Sequence, residues 1–199
     1  RFPHNAKGDT RAPNDDWLDL VQEDILDPDL PICDTHHHLW DFREGRVDQR
    51  YLMEELQRDL QTGHNVTSTV FIDCHAMYRA NGPDEMKPFG EVAFVNGVAA
   101  MADSGLYGDT RVAAGIISHA NLTLGSRAKG VLEALIAAAP NRFRGIRHNG
   151  AWDADPNIGN GRGVPGPGLY LDATFREGFA ELGPLGLVFE GVCRHPQLA

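Results

Sequence analysis

The sequence is poor in cysteine and in basic side chains. Its three cysteines, Cys33, Cys74 and Cys193, are an odd number without the spacing of a disulfide framework. We therefore expect reduced, buried thiols and a cytoplasmic protein. Lys and Arg number 18 against 28 Asp and Glu, for a formal net charge of -10. This acidic balance argues against nucleic acid and anionic membranes as partners. A negatively charged small-molecule substrate stays compatible, since a pocket can be locally basic.

Several signatures of membrane and nucleotide-binding proteins are also missing. No apolar run is long enough to span a bilayer, and the first residues lack the apolar core of a signal peptide. No GxGxxG motif follows the first predicted strand, and the glycine-rich stretch 159–168 lacks the Lys-Ser/Thr of a phosphate loop. No GxSxG motif marks a serine nucleophile. These absences argue against dinucleotide binding, phosphate-loop chemistry and serine hydrolysis.

What the sequence does contain is a regular alternation of strand-like and helix-like segments. A loose arm and a short amphipathic helix over 14–25 form an N-terminal segment, 1–29, and the main domain covers 30–199. The predicted strands are 30–34, 66–73, 111–118, 143–148 and 185–192. The predicted helices are 51–61, 90–104, 126–139 and 173–182. This alternation predicts an α/β fold, with a parallel sheet and outer helices joined by right-handed crossovers.

The most informative segment is the run Asp34-Thr35-His36-His37-His38, which follows the first predicted strand. Side chains alternate along a strand, so Asp34, His36 and His38 share one face and His37 takes the other. Two parallel imidazoles at a strand end can bind one metal ion or hold one anionic substrate. The alternative is a polar strand end whose rings are solvated or hydrogen-bonded.

Every predicted strand ends in polar side chains. Because the carboxyl ends of parallel strands meet at one edge of a sheet, this pattern marks the active face of a (β/α) barrel or of an open doubly wound sheet. The candidates at the five strand ends are His36, His38, Asp73, His75, His119, Arg147, His148, Glu190 and His195.

A hydrolytic site with one metal ion needs neutral imidazoles, a carboxylate and an open position. His36 and His38 supply two imidazoles, and His195 is the favoured third ligand for one divalent ion, Zn or Mn. The other strand-end histidines remain alternatives. Asp73 ends an apolar run, where a carboxylate must be paired or ligated. It is a candidate ligand, general base or partner that orients an imidazole.

Three further residues are candidate substrate contacts. Arg147 emerges from a strand end and suits bidentate recognition of a carboxylate. Its alternative role is an ion pair with Asp153 or Asp155. His148 and His119 follow neighbouring strands and are either substrate contacts or hydrogen-bonded structural residues.

The sequence resembles the amidohydrolase superfamily, in the amidohydrolase-related branch with lactonases of the 2-pyrone-4,6-dicarboxylate and sugar-lactone type. The matching segments are 34–41, 71–79, 143–148, 187–190 and 195–198. The resemblance implies a distorted (β/α)8 TIM barrel that hydrolyses C–O or C–N bonds, with His36 and His38 at its centre. It also implies that Arg147 contacts a substrate carboxylate. Some relatives hold a divalent metal, and some lactonases of the branch work without one.

One departure from that family is large. Five strands are predicted where the family's barrel has eight, and the late-barrel His and the strand-eight Asp have no counterpart. We therefore expect the amino-terminal part of a longer protein, or a chain completed by another chain, and no activity from the 199 residues alone. A hydrolase acting on a carboxylate-bearing lactone or amide is the favoured function, and an oligomer is compatible with it. The alternatives are nonoxidative decarboxylation on the same scaffold and an inactive fragment or interaction module.

Overall fold

The protein folds around one five-stranded parallel sheet. The computed structural model describes residues 20–21, 23–41, 50–155, 157–158 and 166–197. Its strands are β1 (Ile32–His37), β2 (Val66–Ile72), β3 (Arg111–His119), β4 (Phe143–Asn149) and β5 (Val188–Val192). They lie in chain order, and each is parallel to its neighbours. The predicted α/β fold class, with five barrel-type units, is confirmed.

The sheet is curled into a half barrel, which matters for the site. His36 on β1 lies 3.2 Å, Nε2 to Nη2, from Arg147 on β4, although two strands separate β1 from β4. Adjacent strands are about 4.8 Å apart, so a flat sheet would keep these residues roughly three times that distance apart. Curling brings the carboxyl ends of outer strands together over the concave face.

Within the described ranges, four α-helices connect the strands: α1 (Met53–Leu60), α2 (Phe89–Asp103), α3 (Ala128–Ala138) and α4 (Ala173–Ala180). Each lies inside its predicted range or within one residue of it. Two have clear start signals. Asp172 Oδ1 accepts the amide of Phe175 at the start of α4, and Glu55 Oε2 accepts the amide of Leu52 at the start of α1.

Between the sheet and these helices lies the main apolar core. Its fully buried side chains come from the outward face of the strands and the inward face of the helices, and they include Phe71, Ile116, Ile146, Val92, Val95, Leu132 and Leu135. This arrangement explains why the strands are nearly continuously apolar, as a sheet covered by crossover helices requires. Among the described residues, no helix is long and apolar enough to cross a membrane.

Three sequence predictions need correction. The predicted helix over 14–25 is wrong for residues 20–21 and 23–25, which are not helical. The other residues of that range lie outside the described residues. Leu20 and Val21 are largely exposed, so no packed apolar face stabilises a helix there. Strand β5 begins at Val188, not 185, because a short 3-10 helix and the left-handed Gly186 precede it. Cys33 is exposed, whereas Cys74 and Cys193 are half-buried; all three thiols are free.

Candidate functional site

The histidine run on β1 divides between the two faces of the sheet. His36 and His38 lie edge to face, with ring centroids 5.0 Å apart. His37 points to the other side, where its Nε2 lies 2.9 Å from Thr69 Oγ1 and its ring contacts Phe71. Burial lowers the pKa of His37 to about 4, so this ring is neutral and belongs to the core. His36 and His38 are the pair available for chemistry.

The orientation of His38 is fixed by β2. Its Nδ1 lies 2.8 Å from the backbone carbonyl of Ile72. A carbonyl only accepts hydrogen bonds, so Nδ1 carries the proton and Nε2 presents a lone pair. Burial lowers the pKa of His38, which keeps the ring neutral near pH 7. His38 is therefore prepared to act as a hydrogen-bond acceptor, a base or a ligand.

His36 faces the guanidinium of Arg147. Arg147 Nη2 lies 3.2 Å from His36 Nε2 and 2.5 Å from Glu190 Oε1, while Nη1 donates to the backbone carbonyl of Asp73 at 3.3 Å. Because a guanidinium has only donors, His36 Nε2 is the acceptor in this contact. The partner of Arg147 is thus Glu190, rather than either aspartate considered from the sequence.

The arrangement around His36 does not fit the predicted metal site. The lone pair of its Nε2 is engaged by the Arg147 cation, which would repel a divalent ion placed there. His195 is exposed in the 3-10 helix His195–Gln197. Across the described part of the chain, no three His, Cys, Asp or Glu side chains form a group that could hold a metal ion. The described residues thus show no metal group that combines His36, His38 and His195, and a divalent ion at this edge of the sheet stays a prediction.

A cavity of about 440 Å³ opens beside this group, at the carboxyl ends of β2, β3 and β4. It adjoins Arg147, since Asp73 and His119 on its wall contact the backbone or side chain of that residue. Most of the residues that line it are polar or ionisable: Asp73, His75, Tyr78, Asp84, Glu85, Lys87, His119, Asn121, Thr123, His148 and Asn149.

Two imidazoles in the cavity hold opposite tautomers. His119 Nδ1 lies 3.0 Å from the backbone carbonyl of Arg147, so that nitrogen donates and Nε2 is the acceptor. His148 Nδ1 accepts the amide of Leu122 at 3.2 Å, which leaves the proton on Nε2. Burial lowers the pKa of both rings, that of His148 to about 4. The cavity therefore offers one neutral acceptor and one neutral donor about 5.1 Å apart, measured between ring centroids.

Asp73 contacts both Arg147, through its backbone carbonyl, and the cavity, whose wall it helps to form. It is 6% exposed, its Oδ1 accepts the Tyr78 hydroxyl at 2.9 Å, and its Oδ2 lies 3.8 Å from His75 Nε2. Behind it lies Glu91, which is fully buried in α2. Glu91 and Tyr78 are not among the functional residues predicted from the sequence. Glu91 is the one carboxylate within the apolar run 89–102, and this was the available signal, because charged residues are almost never fully buried without a partner.

Comparison with known proteins gives no match: no family model, no curated protein and no solved structure is significantly similar to the chain. The likeness to amidohydrolases therefore depends on the sequence motifs described above and stays a prediction.

Proposed function

We propose that this protein is a hydrolase of the amidohydrolase type that acts on a small lactone or amide bearing a carboxylate. The observation that carries the proposal is the position of Arg147, a cation held between His36 and Glu190 beside a cavity lined by neutral imidazoles and a buried carboxylate. Anion recognition and proton transfer groups thus occupy adjoining parts of one sheet edge, the edge where barrel enzymes bind substrate.

Arg147 is the proposed contact for the substrate carboxylate. Its guanidinium is only 15% exposed, and a charge-assisted hydrogen bond gains strength in such partly desolvated surroundings. Glu190 already occupies one of its donors. A substrate carboxylate would therefore share the guanidinium with Glu190 or displace Glu190 from it. Ligands that form two hydrogen bonds with the guanidinium at once compete best with Glu190.

The remaining groups supply acid–base chemistry in this proposal. Asp73 or the neutral His38 accepts a proton from the attacking water, as general bases do within hydrogen-bond reach of their target. His148 Nε2–H is a neutral donor suited to the oxyanion that forms when the carbonyl is attacked. His119 offers an acceptor for a substrate hydroxyl or for the water itself. Collapse of the tetrahedral intermediate then breaks the ring C–O or C–N bond, and the proton held by the base passes to the leaving oxygen or nitrogen.

Binding and turnover test the proposal separately. The purified chain is titrated with a panel of small lactones and cyclic amides, each with and without a carboxylate, and binding is followed by NMR. We expect carboxylate-dependent binding that Arg147→Met abolishes and that His64→Gln, at an exposed histidine between α1 and β2, leaves unchanged. Equal binding to both members of each pair would contradict the carboxylate contact.

Turnover is measured with the purified protein, by chromatography of the products and by release of carbon dioxide. Ring opening that is lost in His38→Asn is the expected result. Release of carbon dioxide without ring opening would favour the decarboxylase alternative and overturn the hydrolase. Absence of any turnover across the panel would favour the inactive or interaction module.

A further inference from the structure

Glu91 is the most unusual charged residue among those described. It is the third residue of α2 and its side chain is fully buried. An isolated ionised carboxylate is not tolerated in such a position, so it must be paired, hydrogen-bonded or neutral. Nothing in the chemistry proposed above uses it. Its surroundings nevertheless connect it directly to the cavity.

Glu91 holds the segment that follows β2. Its Oε1 accepts the backbone amides of Cys74, at 3.2 Å, and of Ala76, at 2.8 Å. The same segment contains two non-glycine residues in the left-handed region, His75 with φ 64° and Met77 with φ 53°. Such residues persist only where the surrounding structure holds them. The two hydrogen bonds to Glu91 help to hold this backbone, together with the contact of Cys74 Sγ with the carbonyl of Leu39.

Gly90 allows α2 to approach that segment. A Cβ on Gly90 would overlap the backbone carbonyl of Met77 and crowd the amide of Arg79. Without a side chain at this position, the carboxyl of Glu91 reaches the amides of the segment and lies directly behind Asp73. The pair Gly90-Glu91 therefore acts as one unit, in which the glycine provides room and the carboxyl provides hydrogen bonds.

The carboxyl of Asp73 is an acidic neighbour of Glu91. Two carboxylates share a hydrogen bond only when one is protonated. Burial, first, and the charge of Asp73, second, raise the pKa of Glu91 well above its ordinary range, and the amides of the segment oppose this without overcoming it. On the Glu91 side the neighbours are the Cys74 thiol and the Ser118 hydroxyl, which donates to Glu91 Oε2 at 3.4 Å. The His75 ring and the Arg147 guanidinium lie on the Asp73 side, 3.8 Å from its Oδ2 and 3.3 Å from its backbone carbonyl.

The two carboxyls differ in ways that place the proton on Glu91. Asp73 borders the cavity, accepts the Tyr78 hydroxyl and lies near His75. Glu91 has no contact with the cavity and is fully buried. We infer that Glu91 is a positioning residue: in its neutral acid form it donates a hydrogen bond to Asp73 and accepts the two amides that shape the segment 74–77, presenting a charged Asp73 and the His75 ring to the cavity. This inference rests on the proposed function in treating Asp73 as a working carboxylate.

Infrared spectroscopy of the purified chain near pH 7 tests where the proton lies. We expect the carbonyl band of a protonated carboxylic acid, which selective 13C labelling of glutamate shifts and 13C labelling of aspartate does not. Glu91→Gln should remove the band, and Glu133→Gln, at an exposed glutamate of α3, should keep it. A missing band, or a band that moves with labelled aspartate, overturns the inference even if no variant folds.

The positioning role is read from NMR. A glutamine mimics the neutral acid because it donates and accepts at the same two places, so Glu91→Gln should leave the amide signals of Cys74 and Ala76 and the ring signals of His75 close to those of the wild type. Glu91→Ala should shift all three. Equal spectra for the alanine variant and the wild type would overturn the role. Neither measurement depends on turnover, so failure of the proposed function is distinguishable from failure of this inference.

Discussion

Arg147 and Glu190 are direct partners in the register of β4 and β5, and their side chains form an ion pair with Nη2 2.5 Å from Oε1. The pair is mostly shielded, with side-chain exposures of 15% and 29%. It fixes the guanidinium so that its second contact falls on His36, across the concave face. The geometry of the candidate anion site therefore depends on a residue, Glu190, that balances the charge of the arginine.

The first prediction concerns this ion pair. Glu190→Gln should leave Arg147 without its charged partner, and we expect a loss of about 1–3 kcal/mol in the free energy of unfolding, as for a hydrogen bond to a charged group. The same variant should bind small carboxylates more tightly, because the guanidinium no longer carries a competing anion. Urea unfolding and NMR titration with acetate measure the two effects.

Glu54→Gln is the matched control for that variant. Glu54 also pairs with an arginine, Arg50, but its side chain is 63% exposed. An exposed pair contributes about 0.5 kcal/mol or less. If Glu190→Gln proves as mild as this control and carboxylate binding does not change, Glu190 does not restrain Arg147.

Much of the fold was predictable from the sequence, because periodicity and length identify strands and helices without tertiary information. The four α-helices lie within one residue of the predicted ranges, and each of the five strands overlaps its prediction, although β1 runs on to His37 and β5 begins later than predicted. The site was less predictable, since contacts between distant strands depend on curvature and register. The contact of His36 with Arg147 requires the curled sheet, and the choice of Glu190 over Asp153 or Asp155 requires the register of β4 and β5.

Buried polar residues were the hardest to predict. Glu91 occurs in a helix segment that reads as ordinary core, and its role becomes visible only when the segment after β2 packs against it. His37 shows the opposite case: the alternation of a strand correctly separates it from His36 and His38, and its place in the core follows. The local sequence pattern predicts which face of a strand or helix a residue occupies. The residues that it contacts depend on how the elements pack together.

A second prediction concerns acid stability. His37 and His148 have their pKa lowered by burial to about 4 in the folded protein, against 6.5 in the unfolded chain. Between these values the unfolded chain binds protons that the folded protein does not, so stability falls as the pH falls from 6.5 towards 4. Each ring should cost about 2 kcal/mol at pH 5 relative to pH 7.

Urea unfolding at pH 7 and pH 5 measures this effect. His148→Gln keeps an acceptor for the amide of Leu122. It should reduce the loss of stability between pH 7 and pH 5 by the amount that one histidine contributes. His64→Gln, at an exposed position, should leave the slope unchanged. If the wild type, His148→Gln and His64→Gln all show the same pH dependence, burial does not keep His148 neutral.

A third prediction concerns the partner of His37. Thr69 is fully buried, and its Oγ1 contacts His37 Nε2 and accepts the amide of Ala113, each at 2.9 Å. Ala113 has φ 48°, so this amide belongs to a left-handed residue inside β3. Thr69→Val preserves the shape of the side chain but leaves His37 Nε2 and the amide of Ala113 without this hydrogen-bond partner. We expect a loss of about 2–4 kcal/mol in the free energy of unfolding.

Thr67→Val is the control for that substitution on the same strand. The hydroxyl of Thr67 donates to the carbonyl of Ile32 at an exposed position, where water can replace it. Thermal unfolding should therefore shift far less for Thr67→Val than for Thr69→Val. Similar shifts for the two variants would mean that the buried hydrogen bonds of Thr69 contribute no more than those at the surface.

The last prediction compares two glycines of α2. A methyl group at Gly90 would overlap the carbonyl of Met77, whereas nothing lies within 4 Å of a Cβ built on Gly97. Gly97→Ala should stabilise the protein by about 0.5–1 kcal/mol, because alanine is the better helix former. Gly90→Ala should destabilise it by about 1–3 kcal/mol despite the same gain in helix propensity, because the helix must move away from the segment after β2. Chemical denaturation gives both values, and amide exchange at Cys74 and Ala76 should accelerate only in Gly90→Ala. If both variants are stabilised, the close approach of α2 does not hold that segment in place.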